Sequence, residues 1–249
     1  MNIIQYMSNP MGKGSSALML GAMRKELDQQ YSDLHTKIEL KWYAVDKKFL
    51  IAHVKVPSHS VEDLLYDVLI EIDVETIPSN ISVINPAKVR VFSNCPSFVF
   101  TYAKVFQDNG DFIPWANGKY SKEVLKEEPE KRNPIKMVNY ERSLYLAFRY
   151  ILSNGRNYKA KVETNVHKVK STKNILKEVK DLDDILKIYR SKKKKEDDKK
   201  KELSKPVARQ EEKKTQAKPK STNKKGVSKT TPKTKKVSSV TKTKKMKKL

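Results

Sequence analysis

Aromatic residues stop at Tyr189, acidic residues stop at Glu212, and the whole chain holds a single cysteine. One cysteine, Cys95, excludes an internal disulfide framework and any cysteine-based zinc site, and the lack of disulfides fits a reducing compartment. No apolar run approaches the roughly 18 residues needed to cross a bilayer. Met1 to Pro10 lacks a basic stretch followed by an apolar one, so neither a membrane segment nor a secretory signal is expected. The four histidines, His35, His53, His59 and His167, fall at no close metal-ligand spacing, and His53 and His59 are separated by Pro57. No metal site and no cofactor is expected.

What the chain has in abundance is lysine, and it is unevenly placed. Ser191 to Leu249 carries 24 Lys/Arg against 6 Asp/Glu, a net of +18 out of +24 for the chain, which leaves residues 1–190 at +6. A segment with no aromatic residue and so much like charge cannot offset its ordering entropy by burial. Residues 191–249 are therefore expected to be a disordered basic tail. The remaining stretch is long enough for one domain with a sizeable core.

Within that stretch, residues 1–14 read as a flexible arm ending at the turn-like Asn9-Pro10-Met11-Gly12-Lys13-Gly14. Ser15 or Ser16 then caps a helix. Its apolar face, Leu20, Met23, Leu27, Tyr31 and Leu34, recurs at helical spacing to about His35. Strand patterns follow: Ile38 to Ala44, then Phe49 to Val56 as its hairpin partner across Asp46-Lys47-Lys48. Tyr66 to Val74 alternates most cleanly, with Asp67, Glu71 and Asp73 on a polar face expected to be solvated or paired with lysines. Lys88 to Phe92 and Ser97 to Phe106 supply further strand signals around Asn94-Cys95-Pro96. A loop-rich region with Pro114-Trp115, Asn117-Gly118 and Glu127-Glu128-Pro129 precedes a helix from about Asn139 to Leu152, closed by Asn154-Gly155. After a possible extended stretch at 158–170, Ile175, Val179, Leu182, Leu186 and Tyr189 mark an amphipathic helix over 173–190, either docking on its own domain or facing a partner. The fold class is α+β: an N-terminal helix, an antiparallel meander of four to five strands and a C-terminal helix, with helices on one face of a curved sheet. Domain boundaries are expected at 15–157 for the globular part and 158–190 for the linker and amphipathic helix.

Few motifs carry chemistry. Met11-Gly12-Lys13-Gly14-Ser15-Ser16 opens a helix, as phosphate loops do, but it lacks the Gly-x4-Gly-Lys-Ser/Thr spacing that cradles a nucleotide. Cys95, beside a proline bend, is small filler unless a base or positive field such as His53 or His59 lies near it. No pair of carboxylates is placed by the sequence for acid–base work, and no catalytic residue is expected. The tail is where the binding residues lie: Lys213, Lys214, Lys218, Lys220, Lys224, Lys225, Lys229, Lys233, Lys235, Lys236, Lys242, Lys244, Lys245, Lys247 and Lys248, with no acidic residue among them. Interleaved prolines (Lys218-Pro219-Lys220, Thr231-Pro232-Lys233) keep such a chain extended. It would track phosphates by counterion release, blind to sequence, and it has no stacking platform for single-stranded bases. A solubilising extension without a partner, or a nuclear localisation signal around Pro232 to Val237, are the alternatives.

Two resemblances follow from local phrases. Val54-Lys55-Val56-Pro57, Tyr66-Asp67-Val68, Val89-Arg90-Val91-Phe92 and Asp108-Asn109-Gly110-Asp111-Phe112-Ile113, in that order, resemble a ubiquitin-conjugating or RWD-type domain. Active members place the catalytic cysteine directly after the Asn-Gly-x-Ile stretch. Pro114 stands there in this chain, which implies a catalytically dead relative. Ser8 to Gly14, Phe92 to Tyr102 and Arg132-Asn133-Pro134 resemble structural proteins of tailed bacteriophages of low-GC hosts. That resemblance implies a non-enzymatic virion-associated protein, in the virion or host cytoplasm. Its domain would contact other assembly proteins, and its tail would contact nucleic acid. A cellular nucleic-acid-associated protein with a histone-like tail, nuclear if eukaryotic, is the alternative, and a cysteine transferase using Cys95 is a third.

Overall fold

Alternation from Tyr66 to Asp73, broken only at Leu69, builds the centre of the fold. In the computed structural model β1 (Glu39–Val45), β2 (Phe49–Pro57), β3 (Leu65–Asp73) and β4 (Lys88–Ser93) form one antiparallel sheet in the order β1-β2-β3-β4. The structure describes residues 1–8, 17–45, 48–81, 83–120, 141–154 and 171–203, with single positions at 160 and 164. The chain divides into two units, Met1–Lys205 and Pro206–Leu249, and all described residues lie in the first.

The pairing register sorts side chains onto two faces, because residues directly opposite each other in an antiparallel ladder share a face. Val68 opposite Val54, Ile70 opposite Ala52 and Val91, and Ile72 opposite Leu50 and Val89 make an apolar face. The second face carries His53, Asp67, Leu69, Glu71, Arg90 and Phe92.

Helices cover the apolar face. α1 (Ile3–Ser8) and α2 (Ala17–Leu34) pack on α5 (Arg142–Asn154), which lies against β2 and β3. Leu144, Phe148 and Ile151 of α5 are fully buried, as expected from their helical spacing,. Glu141 caps this helix: its Oε2 accepts from the Leu144 backbone N–H at 2.8 Å and from Ser143 Oγ at 2.7 Å. The expected start at Asn139 lies outside the described residues.

Several expectations are corrected. Residues 1–8 are not a flexible arm: Ile3, Tyr6 and Met7 recur at helical spacing, and Ile3 and Tyr6 are fully buried. Tyr6 sits 4.6 Å from the Phe148 ring, and the Met1 amine pairs with Asp111 Oδ1 at 2.7 Å. Residues 9–14 lie outside the described residues. Ser97 to Phe106 is not strand but α3 (Pro96–Thr101) and α4 (Ala103–Asp108). Pro96 occupies the first helical position, where its missing N–H costs nothing. Phe98, Val99, Ala103 and Phe106 follow the helical period, with Phe98 and Phe106 rings 5.5 Å apart. Gly110, at φ 72, takes the left-handed turn after α4,.

The second sheet face is also covered, so the expectation of helices on one face alone does not hold. The 3-10 turn Pro114–Lys119 crosses it, Trp115 Nε1 donates to Glu71 Oε2 at 2.8 Å, and Tyr120 stacks on Phe92 at 5.0 Å. Asp67 and Glu71 are consequently 2 % and 4 % exposed, not solvated. Glu71 also pairs with Arg90. The rest of this face is closed by α6 (Thr172–Glu178) and the start of α7 (Leu182–Leu203). A single helix over 173–190 is thus replaced by two. α7 also runs on through 191–203, which were expected to be disordered.

Candidate nucleic-acid interface

All fifteen lysines assigned from sequence to nucleic-acid binding lie outside the described residues, as do Met11 to Ser16, Pro232 to Val237 and nearly all of the extended stretch expected at 158–170. The structure describes the element that leads to the lysines and the way it is fixed to the sheet.

α7 is helical past Tyr189 for a local reason. From Arg190 to Leu203 there is no β-branched residue, and Lys, Glu and Leu are strong helix formers,. Acids and bases recur at helical spacing, Lys192 with Glu196, Lys193 with Asp197, Glu196 with Lys200, Asp197 with Lys201. Missing core residues exclude burial of this segment and leave a solvated helix free to form. Leu182 and Ile185 are buried against the body, whereas Arg190, Lys193, Lys194 and Lys195 are exposed. At 22 residues the helix is about 33 Å long,.

Residues 178–181 are held by groups from four distant segments, and this holding breaks the helix. Asp67 Oδ2 accepts the Lys180 backbone N–H at 3.1 Å, and Asn94 Nδ2 donates to the Lys180 carbonyl at 3.0 Å. Asn94 also donates to Asp67 Oδ2 at 3.0 Å, and His53 Nε2 lies 2.8 Å from Asp67 Oδ1. Lys119 Nζ donates to the Val179 carbonyl at 2.7 Å and pairs with Asp181 at 3.0 Å. With both polar groups of Lys180 engaged across the sheet, Val179 is extended (φ −91, ψ 126). Burial pushes the Asp67 carboxyl up, but its bonds to His53, Lys180 and Asn94 outweigh that and hold it below the usual carboxylate range,. Lys41 pairs with Glu178 at 2.7 Å and depresses its carboxyl. Both partners of that pair are exposed, so it contributes about 0.2–1 kcal/mol. Farther along α7, Lys192 Nζ donates to the Glu62 carbonyl at 2.6 Å, and Lys193 lies over the Tyr189 ring at 5.8 Å.

Cys95 is 8 % exposed, and burial, with the nearby Glu141 carboxyl acting in the same direction, pushes its thiol up to about 12. Of the two histidines considered as its neighbours, His59 lines a cleft with it, whereas His53 is bound to Asp67. Among the described residues no group of three His, Cys, Asp or Glu side chains could hold a metal ion, and no helix is long and apolar enough to cross a membrane. Sequence reasoning missed Asp67, Asn94 and Arg142 as organising residues. Their bonds to Lys180, Gln30 and Pro57 span 85 to 113 positions, and no local period reports such contacts.

Comparison of the chain with known protein families, curated proteins and solved structures returns no match.

Proposed function

We propose that this is a non-enzymatic, virion-associated protein whose basic C-terminal tail binds nucleic acid without sequence preference and whose folded unit contacts other assembly proteins. The observation that carries the reading is the charge partition. Pro206–Leu249 holds 16 Lys/Arg against 2 Asp/Glu, with no aromatic residue to read bases. A polycation of that kind gains affinity for phosphates by releasing counterions. The anchoring of residues 178–181 supports it further, because it fixes the root of α7 and so ties the basic segment to the body. The virion setting is supported by the phage-like phrases at Ser8 to Gly14 and Phe92 to Tyr102. A cysteine transferase has less behind it: a thiol pushed up to about 12 is protonated at neutral pH,.

The test is a full-length variant in which the fifteen tail lysines from Lys213 to Lys248 are replaced by glutamine. Its affinity for a DNA duplex at low salt should collapse to that of the body alone. Affinity equal to the parent's would defeat the assignment of binding to the tail.

A further inference from the structure

The middle of α7, at Tyr189, borders a cleft that the tail reading leaves unused. It measures about 220 Å³ and is bounded by Ser58, His59 and Ser60 of the β2–β3 loop, Ser97 at the start of α3, Arg142 at the start of α5, and Tyr189 of α7. Arg142 is the notable group. Its guanidinium is held by two neutral acceptors, Gln30 Oε1 at 2.5 Å from Nε and the Pro57 carbonyl at 3.1 Å from Nη1. Among the described residues the buried Nη2 has no hydrogen-bond partner and no carboxylate forms an ion pair with Arg142. The counter-charge that acts on it is the Glu141 carboxyl in the same wall, which makes no ion pair with it, so the part-buried guanidinium is left without a bonded anion,.

We propose that this cleft is a phosphate-binding site, the phosphate being that of a nucleic-acid backbone held where the basic half of α7 begins. A carboxylate ligand would engage Arg142 alone. The hydroxyls of Ser60 and Ser97 and the His59 ring, which line the same cleft, match an anion with more acceptor oxygens,. The neighbouring stretch of α7 is cationic: Lys193 lies over the Tyr189 ring, Lys192 is fixed to the loop through the Glu62 carbonyl, and Arg190 is exposed. Two acids share that loop, Glu62 and Asp63. A third, Glu141, lies in the cleft wall, where its Oε2 accepts from Ser143 Oγ and the Leu144 N–H. The loop itself is pre-set, since Ser58 Oγ accepts the Val61 N–H at 3.2 Å and the Ser58 N–H donates to Leu64 O at 2.7 Å.

The inference rests on the nucleic-acid reading only for the source of the phosphate, and the experiment separates the two. Amide resonances of the isotope-labelled full-length protein are followed while inorganic phosphate, and separately a short DNA duplex, is added. Saturable shifts at Ser58 to Ser60, Ser97 and Arg142 with both probes support the proposal with the backbone as source. The same shifts with phosphate alone support a site for a free phosphate. No saturable shift at these residues with phosphate overturns it, whatever the duplex does, while a duplex that shifts nothing in the molecule defeats the tail reading instead. Ser97→Glu places a carboxylate at the mouth and leaves the anchors of Arg142 intact, so phosphate affinity should fall about tenfold or more. An unchanged affinity in that folded variant would equally overturn the proposal.

Discussion

Asp67 accepts three hydrogen bonds on its two carboxylate oxygens, from His53, Asn94 and the Lys180 backbone. Asp67→Asn removes the charge and turns one acceptor into a donor facing other donors. It should cost about 1–3 kcal/mol at neutral pH, read by urea unfolding. Because the fold holds this carboxyl below its unfolded value, near 3.9, its contribution is complete above that value and is lost as pH falls through the folded one,. The gap between parent and variant should therefore narrow below about pH 4, and a gap that widens there would contradict the assignment. Glu141 behaves in the opposite sense. Burial raises its carboxyl, so its neutral form is favoured in the fold, and the stability it lends is lost as pH rises through the folded value,. Glu141→Gln keeps an acceptor for Ser143 and Leu144. It should gain on the parent as pH climbs out of the carboxylate range, in unfolding midpoints taken across pH.

At the scale of elements, α5 carries the packing and α7 carries the tail. Phe148 is fully buried against Tyr6, and Phe148→Ala should cost about 3–5 kcal/mol in unfolding experiments. Lys194→Pro, in the exposed part of α7, should instead remove helical signal in circular dichroism and leave the melting of the body unchanged. Melting that falls with it would mean that residues beyond Tyr189 support the core. The four strands and the faces of α2 and α5 were legible because their apolar residues recur at the period of the element, although β2, β3 and α5 are buried on more than one side. α3 and α4 were misread because Ser97 to Phe106 is rich in aromatic and β-branched residues, whose strand preference was given more weight than Pro96 at a helix start. The break at Lys180 was illegible for a different reason. Ile175, Val179, Leu182 and Leu186 fit one continuous helix, and only Asp67 and Asn94, far away in sequence, prevent it. Arg142 left no local sign, since nothing beside it in sequence says that its partners are Gln30 and Pro57. The tail was legible in composition alone, and there the charge argument stands apart from any fold.

At the scale of the molecule, charge is divided more sharply than mass. Met1–Lys205 carries 37 Lys/Arg against 27 Asp/Glu, whereas Pro206–Leu249, about a fifth of the chain, carries a net +14. Folded surfaces with interspersed signs attract polyanions weakly, and an uninterrupted cationic segment does so strongly and with steep dependence on salt. The measurement that tests this most directly is duplex DNA binding by the full-length chain and by residues 1–205, which keep α7 whole, across a salt series. The account predicts a steep fall in affinity with salt for the full-length chain, about 10³-fold or more between 50 and 200 mM if six or more phosphates are neutralised. It predicts a shallow residual slope, set by the cleft and the α7 lysines, for residues 1–205. Equal slopes and equal affinities for the two proteins would contradict it and place nucleic-acid binding, if any, in the folded unit.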